Sequence, residues 1–135
     1  MQRSLYGLLK PVILKVPATV TASGTTDSLN LADYGSAMLM FSVGAMAFST
    51  ADKLDLGIAE SDDGTTFTPA TDVYLAESGT VGKALDATAD QNSVHALHYT
   101  GNKKYIRGFY NETGTVSAVL GCVAILGHAR SQPSV

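Results

Sequence analysis

The chain has 135 residues, 45% of them hydrophobic and 16% charged, with a formal net charge of −3. A chain this apolar is not wholly disordered, and its length argues for one core rather than two domains. An acidic balance gives no basic face for nucleic acid, and no apolar stretch reaches the ~20 residues of a membrane-spanning helix. The charged fraction lies well under the about 25% usual in globular domains, so part of the exterior is expected to be covered by a partner.

Residues 1–12 read as an N-terminal arm. Leu5, Tyr6, Leu8 and Leu9 are apolar, while Gly7 and Pro11 discourage a long helix. Such an arm packs either on a neighbouring subunit or on its own domain. It has no continuous apolar core of the kind a secretory signal needs, so synthesis and retention in a cytoplasm are expected.

Residues 12–22 are rich in β-branched side chains and read as a strand broken at Pro17, which suits an edge or a bulge. Residues 23–27 form a turn. Residues 37–48 are strongly apolar, with apolar groups on both sides of the expected strand, so this strand is expected to be central. Residues 53–60 alternate, with Leu54, Leu56 and Ile58 on one side and Lys53, Asp55 and Gly57 on the other. Asp63-Gly64 follows, between alternating segments, and predicts a hairpin.

Residues 73–75 and the region of Thr80, Val81 and Leu85 suggest further short strands. Residues 94–100 alternate, with His95, Leu97 and Tyr99 opposite Val94, Ala96 and His98. After a turn at Gly101-Asn102-Lys103, residues 104–110 return as a strand. Residues 116–126 are the last and most apolar strand. Short turns predict that these last three strands form an antiparallel meander. The inventory is about seven to nine short strands without a long capped helix. It predicts an all-β fold, an antiparallel β-sandwich or small barrel spanning residues 13–130, with a tail at 131–135.

Catalytic and metal constellations are hard to assemble from this pattern. Asp62 and Asp63 share a glycine turn but do not follow the spacing of a calcium loop. His95 and His98 point to opposite faces of one strand and cannot share a metal. Cys122, the only cysteine, lies in an apolar run and reads as a small core residue. Tyr99, Tyr105, Phe109 and Tyr110 lie beside Lys103, Lys104 and Arg107; alternating faces make core packing with a charged rim the better reading than a nucleic-acid surface. No enzyme and no cofactor is expected.

The segment from Glu60 to Phe67, Glu-Ser-Asp-Asp-Gly-Thr-Thr-Phe, resembles the middle of small virion proteins encoded by tailed bacteriophages. So do the run from Tyr99 to Arg107, the following Thr113-Gly114-Thr115-Val116, and the closing Gly127-His128-Ala129-Arg130. The order and spacing of these pieces carry the resemblance, over roughly residues 54–130. It implies a capsid decoration or cement protein on the outer surface of the virion. Such a protein is made in the host bacterial cytoplasm, binds the major capsid protein and is often a trimer. The apolar arm residues Leu5, Tyr6, Leu8 and Leu9, with outward apolar side chains of the sheets, are the expected contacts. A tail or head-tail connector component is an alternative, and so is a carbohydrate-binding β-sandwich using Tyr34, Tyr74 and Asn111.

Overall fold

Period-two patterning and turn residues resolve the chain into ten strands in the computed structural model, which describes residues 9–70, 73–75 and 82–129. In chain order they are β1 (Leu9–Val20), β2 (Gly24–Asn30), β3 (Tyr34–Phe48), β4 (Lys53–Ser61) and β5 (Thr68–Pro69). There follow β6 (Val73–Leu75), β7 (Lys83–Leu85), β8 (Ser93–Tyr99), β9 (Tyr105–Thr113) and β10 (Val116–Ala129). A single 3-10 turn (Thr88–Asp90) precedes β8.

The strands form two antiparallel sheets packed face to face, a β-sandwich. Sheet I has the order β1-β10-β3-β8-β6; sheet II has the order β2-β9-β4-β5, with β7 also paired to β4. Their inner sides share one core. Leu39, Phe41, Leu97 and Leu120 from sheet I and Ile106 from sheet II are fully buried in it. The sheets touch at Gly108, where a Cβ would lie 2.7 Å from Phe41 Cζ and 3.3 Å from Leu39 Cδ2. Cys122 is in this core, and burial pushes its thiol up to about 12.

β1 is an edge strand, as Pro17 suggested. Its pairing with β10 shifts register between Ile13 and Lys15 and again between Lys15 and Ala18, the second shift enclosing Pro17. β3 is central, between β10 and β8. β2 shifts register between Thr25 and Ser28. Within that shift the Thr26 hydroxyl accepts the Gly108 backbone N–H at 2.9 Å, so this buried donor stays satisfied.

Three features depart from expectation. The last three strands are not a meander. β8 and β10 belong to sheet I and β9 to sheet II, so both short connections carry the chain across the sandwich. A short turn fixes antiparallel direction, but it does not force the two strands to hydrogen-bond to each other. Among the described residues, consecutive strands pair only in the β4–β5 hairpin.

That hairpin exists, but residues 62–67 form its loop, longer than a tight two-residue turn. Asp63 organises the loop. Its Oδ1 accepts the Ser61 hydroxyl and the backbone N–H groups of Thr65 and Thr66 at 2.9–3.0 Å. These bonds hold its carboxyl down at about 2.

Finally, residues 9–12 of the expected arm belong to β1 and pair with β10. The other arm residues, Leu5, Tyr6 and Leu8, lie outside the described residues.

Candidate functional site

Antiparallel sheets usually bury one side and wet the other, so their strands alternate apolar with polar. β3 and β10 break that rule. In β3, Ala37, Leu39, Phe41 and Val43 are buried against sheet II, yet Met38 and Met40 between them are apolar too. In β10, Val116, Ala118, Leu120, Cys122, Ala124 and Leu126 are buried, and the alternate positions include Val119, Val123 and Ile125. Strands apolar on both sides belong to sheets covered on both sides. Among the described residues no helix or strand lies over this second side.

The registers assemble the outward residues into rows across sheet I. One row runs Pro11, Ile125, Met38, His98. The next runs Ile13, Val123, Met40, Ala96. Two further rows flank these. Leu9, Gly127 and Ser36 lie on one side; Gly121, Ser42 and Val94 lie on the other, with Pro17 lying over Gly121. No Asp, Glu, Lys or Arg occupies any of these positions. The exposed large apolar side chains among the described residues are Leu9 (41%), Ile13 (64%), Val16 (70%) and Val94 (50%), all on sheet I. A contiguous apolar patch of this kind marks a contact surface.

β1 borders the patch, but it is a poor template for an added strand. Pro11 and Pro17 lack the donor that strand pairing needs, and the two register shifts interrupt the ladder. The edge therefore offers side chains rather than backbone. Leu9, the one predicted arm residue within the described region, stands at the corner of this patch beside Gly127.

No family model and no curated protein matches the chain. The site therefore has to be read from its own chemistry.

The predicted chemical constellations are placed as follows. His95 faces the core and His98 faces out. The Ser93 hydroxyl donates to the Asp90 carbonyl at 2.7 Å, and His95 Nε2 lies 2.9 Å from Ser93 Oγ. With the hydroxyl proton committed to Asp90, the imidazole N–H donates to the serine oxygen. That is the reverse of what activating a serine requires. The Asp90 carboxylate is engaged by Lys83 Nζ and by the Asp86 and Ala87 N–H groups, each at 3.0 Å. Burial pushes its carboxyl up, but these partners outweigh burial and hold it below its ordinary value.

Tyr99 is buried, and its hydroxyl donates to Glu60 at 2.6 Å. Arg107 stacks on the Phe67 ring at 4.1 Å, and Lys104 lies 5.5 Å from the Tyr105 ring centre, so these cations already face aromatics of their own chain. Of the residues considered for a carbohydrate site, Tyr34 opens β3 in sheet I and Asn111 lies on β9 in sheet II. Tyr34 sits by Leu31, which pairs with Lys104 at the start of β9. Asn111 is roughly 20 Å further along that strand at about 3.3 Å per residue. The two do not converge. The side chain of Tyr74 lies outside the described residues.

Met38, Met40, Val123 and Ile125 were not singled out by sequence reasoning. Their signal was present as apolar residues on both sides of a strand, but it reads equally as ordinary burial.

Proposed function

We propose that this chain is a structural virion protein of the decoration or cement type. It would bind the outer surface of a bacteriophage capsid and stabilise it through protein–protein contacts rather than catalysis. The observation that carries the assembly role is the outer side of sheet I, where the described rows across β1, β10, β3 and β8 hold no Asp, Glu, Lys or Arg, with four exposed large apolar side chains on that sheet. An apolar contact surface of this kind suits an obligate assembly. The phage-like order of segments between residues 54 and 130 supports the capsid as the setting, and the major capsid protein is the proposed partner.

The rigid body suits the role. The sheets share one core, the buried Gly108 N–H within it is bonded to Thr26, and the loop at Asp63 is tied internally.

The test is co-sedimentation of purified protein with undecorated shells assembled from a tailed-phage major capsid protein, taken from the genome that carries this gene. Saturable binding at a stoichiometry set by the shell lattice is expected, together with a raised shell melting temperature. Failure to sediment with shells at any concentration would sink the proposal. Binding confined to the head–tail vertex would replace it with a connector role.

A further inference from the structure

We propose that the outer side of sheet II, opposite the apolar face, holds a carboxylate of a partner protein on Arg107. The occupant is an extended peptide segment with Glu or Asp two residues from an apolar side chain. The inference does not depend on what covers sheet I.

Arg107 carries the argument. β9 turns Ile106 and Gly108 to the core and Arg107 and Phe109 outward. The Arg107 guanidinium stacks on the Phe67 ring at 4.1 Å. Stacking uses the flat face of the group and leaves the N–H donors at its edges. Among the described residues no acceptor meets those donors. Nε is buried without a hydrogen-bond partner, and a buried donor in that state is costly. Lys53, Lys83 and Lys103 each hold a carboxylate, and Arg107 holds none. Lys15 and Lys104 also rest over rings, but an ammonium is a rotatable point charge. The stack on Phe67 instead fixes the plane in which Arg107 presents its donors.

The acids nearest in the chain are committed elsewhere. Asp63, in the same loop as Phe67, accepts from Ser61, Thr65 and Thr66. Asp62 holds Lys103.

The surroundings define the ligand. In register with Arg107 stand Ser28 on β2 and Ala59 on β4, both small and uncharged. Ser28 is exposed, and its hydroxyl can donate to the same acceptor as Arg107. A carboxylate matches this set, because it is planar, singly charged and offers two oxygens to two parallel donors. A dianion would meet repulsion from the acids of the Phe67 loop.

Two residues along β9, Phe109 walls a notch of about 290 Å³ with Gly57, Pro69 and Ala84, at the gap between β5 and β7. The charges at its rim are paired, Asp55 with Lys53 and Lys83 with Asp90. Arg107 and Phe109 project from one side of β9, about 7 Å apart. An extended peptide repeats its side chains at the same interval, so a single segment reaches both the guanidinium and the notch.

Heteronuclear NMR of the Arg107 Nε–Hε group tests this on the wild-type protein. The signal is assigned through its bonds to the Arg107 backbone, so no variant is needed to read it. The probes are acetyl-Glu-Ser-Leu-amide and acetyl-Leu-Ser-Glu-amide, with Gln in place of Glu as the control. A Glu peptide is expected to move the signal downfield saturably, about 10-fold more tightly than its Gln control, and salt should weaken it. No saturable shift, equal binding of Glu and Gln peptides, or acetate or inorganic phosphate binding as tightly as the Glu peptides would overturn the proposal. Ser28→Glu places a carboxylate beside Arg107 in the same chain. It is expected to move the same signal and to abolish peptide binding. A folded Ser28→Glu protein that binds the peptides unchanged would overturn the proposal as well.

Discussion

On the outer side of sheet II, Phe109 lies across Gly57, Tyr105 lies against Gly64, and Arg107 stacks on Phe67. Lys53 and Asp55 sit there as well, 3.5 Å apart. The large side chains of that face are partnered within the chain, and glycines provide the room. On the outer side of sheet I, Met38, Met40, Val123 and Ile125 have no such cover among the described residues, and no charge accompanies them. The two sheets share one core and one chain. What separates them is where their outer cover comes from, which for sheet II is the protein itself. An exposed aromatic therefore says little about binding until its intramolecular partner is known.

The comparison can be broken most severely from the inside. Phe41 is fully buried and presses on Gly108, so it supports both sheets at once. Phe41→Ala is expected to cost about 3–5 kcal/mol in urea unfolding, with both sheets lost in one transition. Separate transitions would show that the sheets stand independently.

A smaller effect is expected at Gly57. A Cβ there would run into the Phe109 ring. Gly57→Ala should cost about 1–3 kcal/mol, because an overpacked site can relax only by displacing its cover. Adding Phe109→Ala should recover part of that loss in a double-mutant cycle. Additive costs would mean that Phe109 is not the cover of this face.

The smallest effect concerns acid. The folded-state carboxyl of Asp63 lies at about 2, below the unfolded value of about 3.9. Its contribution is therefore fully present above pH 4 and is lost as the pH falls towards 2. The loop it ties carries Gly64 and Phe67, so acid should loosen the cover of sheet II and leave sheet I untouched. Asp63→Asn is expected to flatten the fall in melting temperature between pH 4 and pH 2. An unchanged slope would assign that acid sensitivity to other carboxylates, Asp90 first, whose carboxyl is also held low.

Much of the fold was legible along each strand. Alternation placed Leu54, Leu56 and Ile58 inward and separated His95 from His98, and Pro17 marked an edge. These properties are local, because side-chain direction repeats every two residues. Pairing was not legible. The connections at residues 100–104 and 114–115 are short enough for a hairpin, yet each crosses between sheets. The choice depends on which distant strand fills the neighbouring place, and no local pattern carries that. The candidate face was half legible. Apolar residues on both sides of β3 and β10 were plain, but only the topology shows that the second side has no cover among the described residues.

The position of β10 has a consequence for timing. It is the last of the ten strands to leave the ribosome, and it lies between β1 and β3 at the heart of sheet I. Until it inserts, neither the inner core nor the outer face of that sheet can close. Long-range strand pairing of this kind is slow compared with local structure. Association is thereby deferred until synthesis of all ten strands is done. A chain halted before residue 116 would expose unpaired edges on β1 and β3, a prime target for quality control rather than a partner for assembly.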